Sequence, residues 1–337
     1  MCSAGCLAQT NVPEQKEFLA KAEELANKAA SEDRFSGTVL IARNGKPVLT
    51  KSWGMADRER NAPNSADSIY NLGSINKLFT GLAVGMLADE GKLSLSDTIG
   101  KHLPDYPNKE AAEKVTISQL LSMTSGIGDF FGPEFEAMEK SKLDSISAYL
   151  PLFASKPLEF EPGTSRRYSN GGYIVLGAII EKASGMSYYD FVKRRIFDKC
   201  GMKDTASLPR DSKDPRMANG YTKPRGSDKR VNNFDTLPQR GSSAGGGYST
   251  AGDMLRFANA IEDGTLEAPK SLLKEERSMI ASMFKGGLGF AGGAPGINAI
   301  IESRLPGGYT LVVLSNYDPP SAIEIGKGIR GLLGATD

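Results

Sequence analysis

Histidine is almost missing from this chain: His102 is the only one in 337 residues. The stretch Gly241-Ser242-Ser243-Ala244-Gly245 spells the G-x-S-x-G elbow, whose chemistry needs a histidine later in the chain to take the serine proton. His102 comes earlier, so the order fails, and a turn rich in glycine and serine accounts for the match. Cysteine is scarce as well. Cys2, Cys6 and Cys200 make neither a disulfide framework nor a zinc spacing. Cys200 follows Phe197-Asp198-Lys199 at a helix end and reads as a small buried side chain. Neither a metal nor a cofactor is expected. Net charge is lacking too: 41 basic against 40 acidic side chains leave +1. A nucleic acid or an anionic membrane is therefore not an indicated partner. No run approaches the ~18 unbroken apolar residues that would span a bilayer.

What remains is the make-up of an ordinary folded chain, with 39% hydrophobic and 24% charged residues and enough length for a sizeable core. Residues 1–13 read as a flexible N-terminal segment. Its small, apolar start could be the tail of an export signal, with Ala8 before a cleavage point or Cys6 as a lipid-acceptor site. A periplasmic or secreted address follows as the expectation.

Residues 14–32 carry Phe18, Leu19, Ala22, Leu25, Ala26 and Ala29 at helical spacing. Thr38–Ile41 and Val48–Thr50 then flank Asn44-Gly45, a two-residue hairpin signal. From Ser74 to about Asp89 the chain is apolar on nearly all sides, as in a helix from the middle of a protein. Helical stretches follow near 116–123, 144–153, 172–184, 187–199 and 251–262. Strands return at Ile297–Ile301 and Tyr309–Leu314, and a last helix runs from Ser321 to about Leu333. The economical architecture is α/β of the α+β type: an antiparallel sheet flanked by helices and built from both chain ends. Residues 14–60 and 236–337 would form the sheet region, and 61–235 an inserted, mainly helical region.

Two patterns carry chemistry. In Ser74-Ile75-Asn76-Lys77 the serine and lysine are three apart at a helix start, so the amine can reach the hydroxyl. The helix N-terminus favours an alkoxide or oxyanion there, and burial would lower the lysine pKa into the range of a base. An N-cap serine beside a solvated lysine is the plain alternative; the apolar helix that follows argues against it. In Tyr168-Ser169-Asn170 a tyrosine hydroxyl could share the proton work and an asparagine amide could bind a substrate carbonyl. An ordinary turn with a half-buried tyrosine would look the same.

Together, Ser74-x-x-Lys77 and Tyr168-x-Asn170 about ninety residues on make the chain resemble the serine β-lactamase and penicillin-binding-protein superfamily. The branch it is most similar to holds class C β-lactamases, family VIII carboxylesterases and D-amino-acid peptidases. Ser36–Leu40 to Gly54, Leu120–Gly126, Glu161-Pro162-Gly163, Gly201–Thr205 and Gly293–Gly296 look like family landmarks. The resemblance implies that Ser74 is acylated, that Lys77 and Tyr168 move protons, and that Asn170 orients substrate. It also implies an oxyanion hole made of the Ser74 N–H and one from the strand after the third motif, at Gly293.

Two departures stand out. The third motif usually opens with Lys, His or Trp two residues before a glycine, and here it reads Phe290-Ala291-Gly292. The connection from about Lys285 to Gly293 is also short for the strand that commonly precedes it, and a family-typical histidine is Met123. The stretch Gly287–Gly292 spells G-x-G-x-x-G, but Pro295 and a strand follow it where a dinucleotide site needs a helix. The expected partner is a small ester or amide molecule, with short-chain esters first. The alternatives are a D-amino-acid peptidase or amidase, weak β-lactamase activity, or a penicillin-binding or sensor protein without turnover. These patterns set no oligomeric state.

Overall fold

The computed structural model describes residues 14–274 and 279–334. The expectations for residues 1–13, including the export signal at Cys6 and Ala8, lie outside the described residues.

Five strands form one antiparallel sheet: β1 (Gly37–Arg43), β2 (Lys46–Trp53), β3 (Gly289–Ala294), β4 (Ile297–Leu305) and β5 (Tyr309–Ser315), in the order β2-β1-β5-β4-β3. The early hairpin turns at Asn44 and Gly45, with φ 47° and 74°, both left-handed as a tight two-residue turn of this hand requires. β1 then pairs with β5 from Gly37 opposite Ser315 to Arg43 opposite Tyr309, so the two chain ends meet at the centre of the sheet.

Alternation in the central strands explains why they read as unbroken apolar runs. Val39, Ile41, Leu311 and Val313 face one core, shared with α1 (Gln15–Ser31) and the last helix, α5 (Ser321–Leu332). Leu40, Ala42, Val312 and Leu314 face the other, larger core. Both faces are covered, so neither set of alternate positions is polar. On the second face lie α2 (Asn76–Asp89), α3 (Asn170–Ser184) and α4 (Ala251–Glu262). In α2 only Met86, Ala88 and Asp89 escape burial. Its Phe79 meets Phe197 and Phe257 edge-on, with ring centroids 4.9 and 5.1 Å away, a favoured aromatic geometry.

Two expectations need correction. Ser74 does not open an α-helix: Gly73–Ile75 form a 3-10 turn and α2 begins at Asn76. Gly73 has φ 52°, and the Asn71 Oδ1 accepts its N–H at 2.9 Å, which bends the chain into that turn. Gly289–Ala294, with three glycines in six residues, is the edge strand β3 itself. Gly292 and Gly293 therefore lie within the motif's strand rather than in one that follows. Strand propensity gave no sign of it, because glycine weakens a strand. The reason for glycine is proximity: a Cβ at Gly292 would stand 2.0 Å from the Leu72 carbonyl oxygen. A tight turn at Pro295-Gly296 and then β4 follow, which removes the dinucleotide reading.

Phe79→Ala should leave a cavity beneath the helix that carries Lys77 and cost about 3–5 kcal/mol. Urea unfolding at fixed pH measures it; a loss under about 1 kcal/mol would mean that the site helix is not anchored by this cluster.

Candidate active site

Four side chains expected from sequence meet at one place. The Ser74 Oγ and the Tyr168 hydroxyl are 2.6 Å apart, and the Lys77 Nζ is 3.4 Å from the same Oγ. Lys77 also donates to the Asn170 Oδ1 at 2.7 Å and closely to the Ala244 carbonyl. Local chain geometry sets this up. The Ser169 Oγ caps α3 by accepting the Gly172 N–H at 2.9 Å and donates to the Gly128 carbonyl at 3.0 Å. A Cβ at Gly171 would lie 2.3 Å from that carbonyl, so glycine lets the loop through Gly128 close on the helix start that bears Asn170.

Burial decides the charge state of Lys77. The residue is 2% exposed, and loss of hydration lowers its pKa to about 7, against an upward pull from Asp129. The rings of Tyr168 and Tyr173, 4.7 and 5.4 Å from Nζ, favour the cation, but desolvation outweighs them. Tyr168 moves the other way: burial raises its pKa although the Ser74 contact opposes this. Its ring stands half out in the cleft, so solvent tempers the shift, but the direction keeps the phenol protonated near neutrality. A neutral Lys77 has two N–H bonds and one lone pair. The Asn170 and Ala244 oxygens take the two N–H bonds, which leaves the lone pair for the Ser74 hydroxyl proton.

Beside Ser74 runs β3. Ideal Cβ atoms at Gly73 and Gly292 would sit 2.8 Å from the Gly293 nitrogen and 2.9 Å from the Ser74 nitrogen, so the two backbones lie against each other. A recess of about 220 Å³ is lined by Ser74, Lys77, Tyr168, Met123, Phe290 and Gly292, among others. Phe290 thus lines the recess, and it also packs against the larger core. Among the described residues, Lys77 is the only basic side chain in that lining. Met123, with a left-handed φ of 61°, takes the family histidine's place in the wall. A larger cleft of about 580 Å³ also reaches Ser74, with Phe130, Phe131, Phe135 and Tyr149 along it.

Other candidates lie elsewhere. Ser243 is fully buried against Gly177, and among the described residues its Oγ has no hydrogen-bond partner. The Nε2 of His102 is 2.9 Å from Asp97. Burial raises the Cys200 thiol to about 11, so it is a poor nucleophile near neutrality. Two contributors escaped sequence reading. The Ala244 carbonyl carries no side-chain signal at all. Asp129, which accepts from Asn170 Nδ2 at 2.7 Å, could have been suspected as a carboxylate just after the Ser125–Gly128 run.

Fold and site together define a class: serine acyl-transfer proteins on an antiparallel sheet, with lysine rather than histidine beside the serine. The beta-lactamase family model matches residues 22–332, and the chain belongs to that family. It is 37% identical over 174 residues to penicillin-binding protein 4* of Bacillus subtilis (strain 168), covering 51% of this chain and 38% of that one. To the putative penicillin-binding protein PbpX of the same organism it is 32% identical over 294 residues, 83% of this chain and 70% of the relative. The crystal structure of the penicillin binding protein from Bacillus halodurans aligns at a TM-score of 0.78 and 26% identity, covering 90% of this chain and 99% of that one. The chain therefore spans well under half of penicillin-binding protein 4* and more than two thirds of PbpX.

Ser74→Ala should abolish acylation, read by intact-protein mass spectrometry, and leave the fold in place. Ser243→Ala should keep full activity and cost no stability, since the hydroxyl it removes is buried and unpaired. An inactive Ser243 variant beside an active Ser74 variant would reverse the assignment.

Proposed function

We propose that this chain is a serine hydrolase that passes acyl groups to water through an ester on Ser74, with neutral carboxylic esters as its preferred substrates. Lys77 takes the Ser74 proton as the hydroxyl attacks. The backbone N–H groups of Ser74 and Gly293 receive the oxyanion. Tyr168, held protonated against Ser74, donates to the leaving oxygen, and the same groups run in reverse activate water for deacylation. Asn170 has two tasks, holding Lys77 and offering its amide to the substrate edge. The larger cleft has room for acyl groups beyond the short chains expected first from the sequence.

The observation that carries the substrate preference is Phe290. Beside Ser74 it sets an apolar ring where a substrate carboxylate would need a donor. Phe290→His would restore one, and a charge-assisted hydrogen bond is worth roughly 1.5–3 kcal/mol. The kcat/KM ratio of carboxylate-bearing to neutral substrates should then rise by about ten- to a hundredfold. An unchanged ratio in a folded variant would remove the ring from any part in selectivity.

A second reading rests on the likeness to penicillin-binding proteins: a protein that is acylated and does not turn over. D-amino-acid amides fall between the two. Mass spectrometry with a neutral aryl ester, a D-amino-acid amide and a β-lactam distinguishes them, because a hydrolase releases its adduct and a non-turnover binder keeps it.

Because Lys77 must be neutral to accept the proton, kcat/KM on a neutral ester should climb as pH rises through about 7 and level off above it. A profile flat from roughly pH 5 to 9 would dismiss Lys77 as the base.

A further inference from the structure

Asp129 sits on the loop that closes over the start of α3, and no step above assigns it a task. Its Oδ2 accepts from the Asn170 Nδ2 at 2.7 Å and from the Asn170 backbone N–H at 3.3 Å. Its Oδ1 accepts the Phe131 N–H at 3.1 Å. One residue earlier, the Gly128 carbonyl receives the Ser169 hydroxyl, so two successive residues of the loop are tied to two successive residues at the helix start.

The consequence is a fixed amide. An asparagine side chain can stand either way round, with oxygen and nitrogen exchanged, and its neighbours must choose. Lys77 alone cannot choose, because as an ammonium it only donates and as an amine it can also accept. A carboxylate only accepts. Asp129 therefore holds Nδ2 toward itself and turns Oδ1 toward Lys77 in both protonation states. With the amide reversed, an Asn170 N–H would face Nζ, repel the ammonium, and occupy the lone pair of the amine that Ser74 requires.

We propose that Asp129 is a positioning residue for acyl transfer, acting through Asn170 to keep the lone pair of Lys77 directed at Ser74. The proposal rests on the Ser74 and Lys77 reading above. The groups facing Nζ are the Ser74 hydroxyl, the Tyr168 and Tyr173 rings, the Asn170 and Ala244 oxygens and, behind Asn170, the Asp129 carboxylate. Among the described residues that carboxylate is the one charge opposing the desolvation of Lys77, so removing it should let the amine lose its proton at lower pH.

The test uses Asp129→Asn and Asp129→Ala, alone and with Asn170→Ala. Asp129→Asn removes the charge and keeps the shape, and it should move the acid limb of kcat/KM toward acid by on the order of one pH unit. Asp129→Ala also frees the amide and should lower plateau kcat by about ten- to a hundredfold, with KM changed much less. In the Asn170→Ala background, Asp129→Ala should cost no further plateau activity, because the residue it acts through is already gone. Additive losses, or an unmoved acid limb in both single variants, would overturn the proposal. The titration of Lys77, followed by NMR of isotope-labelled lysine in the wild type and Asp129→Asn, reads the charge effect without turnover. Failure of the hydrolase reading would appear as no adduct on wild-type Ser74, whereas failure of this proposal would appear as an unmoved Lys77 titration.

Discussion

Everything at the site follows from the burial of one amine. α2 is apolar on almost every side, so whatever polar group its first turn carries is enclosed with it. An enclosed ammonium is costly, and a lysine there gives up its proton more readily and has its remaining N–H bonds satisfied by fixed acceptors. Two come from distant parts of the chain, the Asn170 amide at the start of α3 and the Ala244 carbonyl of the glycine-rich turn. The need to pair one nitrogen thus brings three separate segments to the same point. The segment that spells the histidine-dependent elbow serves here by offering a backbone carbonyl that accepts from lysine, and neither of its serine hydroxyls meets Lys77.

The sheet supplies the other wall, and its construction explains why the wall can come so close. β1 and β5 are buried on both faces and lock the chain ends together, so β4 and then β3 extend from a fixed centre. β3 is an edge strand made largely of glycine. Without side chains at Gly292 and at the facing Gly73, its backbone can lie against the turn before Ser74, where a Cβ at Gly292 would collide with the Leu72 carbonyl oxygen. Strand stability is given up at this edge, and nearness of backbone N–H groups to Ser74 is obtained.

How much of this could be read in advance depended on where the information resided. Apolar spacing disclosed α1, the Asn44-Gly45 turn signal disclosed the hairpin, and unbroken apolar runs disclosed α2 and the last two strands, because burial on one face leaves a period and burial on both leaves a run. Spacing disclosed Ser74 and Lys77, since residues three apart must share a helical face, and the resemblance to a known family added Tyr168 and Asn170 to them. The edge strand β3 stayed hidden because glycine carries no periodicity. Ala244 stayed hidden because a backbone carbonyl is the same in every residue. Asp129 was visible as a residue and invisible as a partner, for its contact with Asn170 spans 41 positions and no local pattern encodes such a pairing. The start of α2 was misplaced by two residues because a 3-10 turn and an α-turn draw on the same residues.

Phe290 and Met123 bear on the base as well as on the substrate. Both line the recess, and within it Lys77 is the only basic side chain among the described residues. A substrate carboxylate entering there would have no other positive partner. Close to Nζ it would favour the ammonium, raise the pKa of Lys77 above about 7, and withdraw the lone pair that Ser74 depends on. A neutral ester brings no such field and leaves the amine available. On the proposed reading, then, an apolar recess and a lysine base select for the same substrates: the wall declines the carboxylate, and any carboxylate that enters switches off the group meant to act on it.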